Sequence, residues 1–194
     1  MGKRSSFERN PRDFYPTPRE AVVPLLRFLQ RGENFIEPCA GNGALVDHLN
    51  GAGQRCVWAS DIDTAFDWGK GGYDAQHMDL VAWDVPRAHA IITNPPWDRK
   101  ILHPIITRFI QQPIPSWLLI DADWAHTKQA APFLKFCTDI VAIGRVRWIP
   151  GSKHTGKDNC CWYRFDSHEK DTVFHGRTQP VSQTHLDRGM ENRT

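Results

Sequence analysis

The segment Ile36-Glu37-Pro38-Cys39-Ala40-Gly41-Asn42-Gly43-Ala44-Leu45 runs from an apolar, strand-like stretch into a helical one across a glycine turn. Such a turn lets a ligand come close to the backbone, and the helix start presents unbonded N–H groups. Asp61 follows Gly41 by 20 residues at the end of the next apolar run, where an acid can reach the hydroxyls of a ribose. Outward from this unit, short apolar runs alternate with segments of helical period. Strands are expected over 34–37, 55–60, 89–93, 117–121, 140–148 and 160–165, and helices over 18–30, 44–49, 100–111 and 124–136. In the first helix Thr17 reads as the N-cap, with Pro18 at the first helical position, Glu20 three residues after the cap, and a bend at Pro24. The alternation predicts an α/β fold, a single domain built on an open, mostly parallel sheet with helices on both faces. The last two strands lie too close for a crossover helix, so Pro150-Gly-Ser-Lys-His-Thr-Gly-Lys-Asp-Asn159 reads as the long basic loop of an antiparallel C-terminal hairpin.

The chain has 194 residues, the length of one domain with a tail, and 40% of them are hydrophobic, including eight Trp. That composition supplies a core and excludes wholesale disorder. No apolar run approaches the roughly 20 residues of a membrane span, and the basic start Met1-Gly-Lys-Arg-Ser-Ser6 lacks the apolar stretch of a signal peptide, so a cytoplasmic protein is expected. Five cysteines without a CxxC pair, and nine histidines without HxH or HxxxH spacing, argue against a metal site and a disulfide scaffold. The net charge is only +2, but it is unevenly placed. Residues 1–19 carry five basic side chains against two acids, and residues 145–164 carry five against one. Two such segments can form a footprint for a polyanion or be ordinary solvated surface. Residues 1–12 are expected as a basic arm, 13–166 as the folded domain and 167–194 as a polar, flexible tail.

The glycine turn has GxG spacing without the third glycine of a dinucleotide fingerprint, and Glu37 precedes it. A carboxylate beside a pyrophosphate is repulsive, whereas one facing the sulfonium and ammonium of S-adenosylmethionine is favourable. A second constellation follows the buried-strand pattern His89-Ala-Ile-Ile-Thr93: Asn94-Pro95-Pro96-Trp97, at a carboxyl-terminal strand edge where ligands bind in open α/β sheets. The two prolines fix the backbone and remove two donors. An exocyclic amine on a heterocycle is a poor nucleophile because its lone pair is delocalised. The Asn94 side-chain oxygen and the Pro95 carbonyl can each accept one amine hydrogen, holding the nitrogen with its lone pair toward a methyl donor. Trp97 offers a flat face on which a base can stack, worth about 1–3 kcal/mol.

At these residues the chain resembles S-adenosylmethionine-dependent amino-methyltransferases, most closely the small DNA adenine-N6 methyltransferases of bacteriophages and prophages, over roughly residues 13–165. Asp13-Phe-Tyr-Pro-Thr-Pro18, with Tyr15 and Thr17, is similar to the family's first cofactor motif. Glu37-Pro-Cys-Ala-Gly-Asn-Gly43 resembles its glycine-rich cofactor turn, which places Glu37, Cys39, Gly41 and Gly43 at the cofactor, with the Cys39 thiol assigned to packing. Ser60-Asp-Ile-Asp63 resembles the ribose-binding segment, through Asp61 and Ile62. His77-Met-Asp-Leu80 resembles the segment whose acid, here Asp79, meets the cofactor's adenine, and Asn94-Pro95-Pro96-Trp97 resembles the catalytic tetrapeptide. Arg145-Val-Arg-Trp-Ile-Pro150 resembles the late strand whose aromatic residue, here Trp148, helps clamp a flipped base. The resemblance implies a seven-stranded Rossmann-like methyltransferase sheet, with a strand near Asp79 that periodicity does not reveal. It also implies methyl transfer to the N6 amine of an adenine flipped out of double-stranded DNA, with Lys153 and Lys157 of the hairpin loop facing the nucleic acid. Within these 194 residues, a separate target-recognition domain like that of the larger family members is not expected.

Rival readings keep the fold and change the amine, to cytosine N4, guanine N2 of RNA or a protein glutamine, or make the chain a catalytically dead nucleic-acid- or protein-binding module. The combination of Glu37, Gly41, Gly43, Asp61 and Asn94 argues against the last. Cys160 and Cys161 are expected on opposite faces of one strand, and Trp117, Trp124 and Trp162 in the core or at its rim. Asp121 and Asp123 either line the rim of the site or solvate a loop.

Overall fold

The computed structural model describes residues 15–68, 72–82, 84–149, 151 and 155–177. Seven strands form one sheet: β1 (Asn34–Glu37), β2 (Arg55–Ala59), β3 (Ala90–Thr93), β4 (Ser116–Asp121), β5 (Cys137–Arg145), β6 (Asn159–Phe165) and β7 (Val173–His175). Their spatial order is β2-β1-β3-β4-β6-β5-β7. The first four run parallel, β6 is antiparallel to both β4 and β5, and β7 returns parallel to β5. The helices are α1 (Arg19–Val22), α2 (Ala44–Gly51), α3 (Arg99–Ile110) and α4 (Ala131–Leu134).

Successive strand residues point to opposite faces and thereby build two apolar layers. Phe35, Ile92, Trp117, Leu119 and Trp162 pack with Leu25 and with Leu45 and Leu49 of α2 on one side. Ile36, Ile91, Leu118, Ile120 and Tyr163 pack with Leu102, Ile105, Ile106 and Phe109 of α3 on the other. Cys160 and Cys161 separate between the two layers in the same way, and Trp117, Trp124 and Trp162 are all buried. The mostly parallel sheet with its antiparallel hairpin is the architecture the sequence predicts.

Four local expectations need correction. Thr17 does not cap the first helix: Pro18 occupies the cap position, and the Thr17 hydroxyl is engaged by Asn94 instead. The helix is also short, because Pro24 cannot continue the α ladder and the chain tightens into a 3-10 turn over Val23–Phe28. The single helix expected over 124–136 is a 3-10 turn at Ala122–His126 followed by α4, since the Thr127 hydroxyl bonds the Trp124 carbonyl and closes the first piece. The seventh strand is not near Asp79, where the described backbone turns, but at Val173–His175, inside the segment expected as tail. It is held there by the Thr172 hydroxyl donating to the Cys137 carbonyl at 2.7 Å and by His175 against Asp139 at 2.8 Å. The basic arm over 1–12 and residues 178–194 of the tail lie outside the described residues. Among the described residues, no helix is long and apolar enough to cross a membrane.

Candidate active site

β1, β2 and β3 end side by side, and their carboxyl-terminal ends open onto a cavity of about 870 Å³. The turn after β1 is held by backbone bonds to the end of β2: Ala40 N–H to the Ser60 carbonyl at 2.9 Å, and Ser60 N–H to the Glu37 carbonyl at 3.0 Å. Gly41 and Gly43 both have positive φ, 48° and 84°, which other residues adopt at a cost. Gly43 has a second constraint: a Cβ there would stand 2.8 Å from the Trp68 ring. The Trp68 indole N–H donates to the Gly41 carbonyl at 3.1 Å, so this ring covers the outside of the turn. Gly41 lines the cavity, whereas Gly43 acts through backbone shape and lies behind the wall.

Asp61 ties the turn to β2. One carboxylate oxygen accepts the Gly41 N–H and the other the Asp63 N–H, each at 2.8 Å, and the group lines the cavity with Ile62 and Asp63. Glu37 is 1% exposed and also lines the cavity. It accepts the Asn94 backbone N–H, while its Oε2 is buried without a hydrogen-bond partner. Burial, and secondarily the negative charge of Asp61, push its pKa well above the ordinary carboxylate value, against the lowering effect of the Asn94 N–H. A buried carboxylate with an unused acceptor at a cavity wall is matched by a ligand that brings a donor or a positive charge. Cys39 faces the same cavity with its pKa raised, first by burial and then by Asp61, so its thiol stays protonated.

Asn94 follows β3. Its side-chain nitrogen lies 3.2 Å from the Tyr15 carbonyl oxygen and 3.1 Å from the Thr17 hydroxyl. A carbonyl oxygen can only accept, which assigns the amide: NH₂ toward Tyr15 and Thr17, and Oδ1 left as an acceptor. Tyr15, Thr17, Asn94 and Pro96 line the cavity; Pro95 is buried behind it. Trp97 stands beside the cavity, its indole N–H fixed to the Leu119 carbonyl at 2.9 Å. The Trp148 ring meets Trp97 edge-on, centroids 5.6 Å apart at 84°, and lies 6.3 Å from the Tyr15 ring. Three aromatic rings from distant parts of the chain therefore converge next to Asn94.

Asp79 does not join this group. Its carboxylate accepts the Val81 and Ala82 N–H groups and pairs with Arg108 at 3.3 Å, away from the cavity wall. The acid at that end of the cavity is Asp74, which starts the 3-10 turn Ala75–His77 by accepting the Gln76 N–H. Sequence reading missed Asp74 because its capping role is local and no motif marks it. Lys157 is exposed on the β5–β6 loop, and Lys153 lies outside the described residues. Asp121 and Asp123 sit at the carboxyl end of β4, where the Asp121 carboxylate caps the following 3-10 turn. The cavity wall as a whole carries four carboxylates, Glu37, Asp61, Asp63 and Asp74, and among the described lining residues no Lys, Arg or His. That wall repels phosphate and attracts a cation.

No protein-family model matches the chain, and no curated protein matches it in sequence. Solved structures do match its fold. A provisionally assigned RNA methyltransferase from Pyrococcus horikoshii superposes with a TM-score of 0.56 at 17% identity, over 78% of this chain and 86% of that one. A provisionally assigned class I S-adenosylmethionine-dependent methyltransferase from Listeria monocytogenes gives 0.54 at 11% identity, over 89% and 69%. A provisionally assigned hemolysin from Lactococcus lactis gives 0.55 at 10% identity, over 82% and 91%. The chain thus has the Rossmann-like fold that class I methyltransferases share.

Proposed function

We propose that the protein transfers a methyl group from S-adenosylmethionine to the N6 amine of an adenine flipped out of DNA. The observation that carries this reading is the Asn94 amide, whose NH₂ is engaged by the Tyr15 carbonyl and the Thr17 hydroxyl so that Oδ1 remains to accept. The fit of the cofactor rests on the Glu37 oxygen buried without a partner in a cavity walled by carboxylates. An ammonium or sulfonium supplies the missing donor or charge there, and a pyrophosphate would not. Glu37 holds the cationic end, Asp61 the ribose hydroxyls, and Ile62 with Asp74 or Gln76 the adenine end. When bound, the cofactor supplies an electrophilic methyl group.

The protein's own groups then act on the amine. Asn94 Oδ1 and the Pro95 carbonyl each accept one amine hydrogen, orient the nitrogen and favour its pyramidal geometry. Trp97, with Trp148 against its edge, holds the base and offsets the few kcal/mol that flipping costs. No strong general base is required, because the amine proton becomes acidic only as the nitrogen takes up the methyl group, and it is then released to water. Incubating the purified protein with S-adenosylmethionine and duplex DNA, then digesting to nucleosides for mass spectrometry, tests the reading. N6-methyladenine is the expected product. Only N4-methylcytosine, methyl transfer to RNA or protein alone, or no transfer at all would overturn it.

A further inference from the structure

We infer that Gly176-Arg177, directly after β7, belongs to the nucleic-acid-binding face, with Arg177 as a backbone-phosphate contact alongside Arg145 and Arg147. This rests on the nucleic-acid substrate proposed above. Register places the segment. β7 pairs with β5 through Asp139↔Val173, Ile140↔Phe174 and Val141↔His175, so the chain leaving β7 runs beside Ala142–Gly144 toward the end of β5. That end, Arg145, lies opposite Asn159 at the start of β6, and Cys160 lies opposite Asp121 at the carboxyl end of β4. Gly176 and Arg177 therefore lie toward the same end of the sheet as Asn94.

Arg177 is seated there by a backbone feature. Gly144 has φ +93° at an irregularity in the β5 register, and a Cβ on it would stand 2.9–3.1 Å from the Arg177 guanidinium. The guanidinium thus occupies the space that a side chain would fill, pressed on the backbone one residue before Arg145. Arg145, Arg147 and Arg177 are all exposed, and among the described residues none of their guanidinium groups is in an ion pair. Nearer the start of β5 the charges are closed: Asp139 engages both His175 and Arg164, at 2.8 and 3.6 Å. An exposed guanidinium lying against the backbone and in no ion pair among the described residues fits a phosphodiester, which it can bind with two parallel N–H donors. Arg145 ends β5, Arg147 and Trp148 follow on the loop, and the Arg147 backbone N–H is anchored to the Glu20 carboxylate. Phosphate contacts at this rim would set the position of the duplex relative to the aromatic pair, while the base contacts lie elsewhere.

The test measures affinity for a fluorescent DNA duplex against salt, for the wild type, Arg177→Gln, Arg177→Lys, and a control Arg55→Gln at the opposite end of β2. The expected result is a slope of log K against log salt reduced by about one unit in Arg177→Gln, retained in Arg177→Lys and in the control, with Tm nearly unchanged. A wild-type slope in Arg177→Gln, with or without a lower Tm, overturns the inference and makes Arg177 an anchor for β7 only. If the wild type shows no salt-dependent DNA affinity, the nucleic-acid reading itself falls, which separates the two failures.

Discussion

On the β1–β2 side of Asn94 the cavity wall carries carboxylates, partly or wholly buried and tied to backbone N–H groups; at the far rim stand the exposed guanidiniums of Arg145, Arg147 and Arg177, which among the described residues are in no ion pair. The first side is a concave wall in which each acid except Glu37 Oε2 has a place in the protein's own hydrogen bonding. The second is an open rim of aromatic rings and cations. A small cation needs a pre-formed enclosure because it must be desolvated, whereas a polyanion is captured by charge acting over many contacts and needs no cavity. The difference teaches how one sheet edge can receive two ligands of opposite charge, with Asn94 between them.

The comparison can be broken most sharply at Glu37. Because its folded pKa is raised, the protonated acid contributes stability that is full below the unfolded carboxylate value and lost as pH rises through the folded one. At neutral pH Glu37→Gln should leave the unliganded protein at least as stable and flatten that pH dependence. Its affinity for S-adenosylmethionine should fall about 10- to 100-fold, the worth of a hydrogen bond to a charged group. Calorimetric titration alongside thermal melts at several pH values checks both, and an unchanged affinity would remove Glu37 from the cofactor site.

Asp61→Ala should have the next largest effect. It removes the acceptor of the Gly41 and Asp63 N–H groups, so it should lower Tm as well as weaken the cofactor, by about 1–3 kcal/mol. A lower Tm with an unaltered dissociation constant would reduce Asp61 to a stitch in the turn. The smallest effect is expected on the opposite side. A Cβ at Gly156 would stand 3.1 Å from the Trp148 ring, so Gly156→Ala should shift Trp148 by a few tenths of an ångström. Steady-state kinetics should show a few-fold higher KM for DNA with cofactor affinity unchanged; a change in cofactor affinity instead would mean that the two sides are not independent.

What was legible in the sequence follows the range of the forces involved. The glycine turn and the Asn-Pro-Pro-Trp turn were readable because each is a local backbone solution, with positive φ at Gly41 and Gly43 and fixed φ at the two prolines. The strands β1, β3, β4 and β6 were readable as short, nearly continuous apolar runs, the mark of strands buried on both faces. Thr17 was misread as a cap because its partner, Asn94, is 77 residues away. β7 was unreadable because Val173-Phe174-His175, three residues inside a polar stretch, becomes a strand only through tertiary contacts of Thr172 and His175 with β5. The location of Asp79 failed differently: a motif-like acid next to Arg108 finds its partner on α3 rather than in the cavity.

The central claim is that Asn94 serves the amine while Glu37 and Asp61 serve the cofactor. The most direct measurement is Asn94→Ala, with methyl transfer to DNA and S-adenosylmethionine affinity determined on the same preparation. An interaction that strengthens toward the transition state appears in kcat rather than in ground-state binding. The account predicts that transfer is abolished while the cofactor dissociation constant stays within a few-fold of wild type. Transfer to adenine at near wild-type rate would contradict it, leaving the Asn94 turn a structural corner.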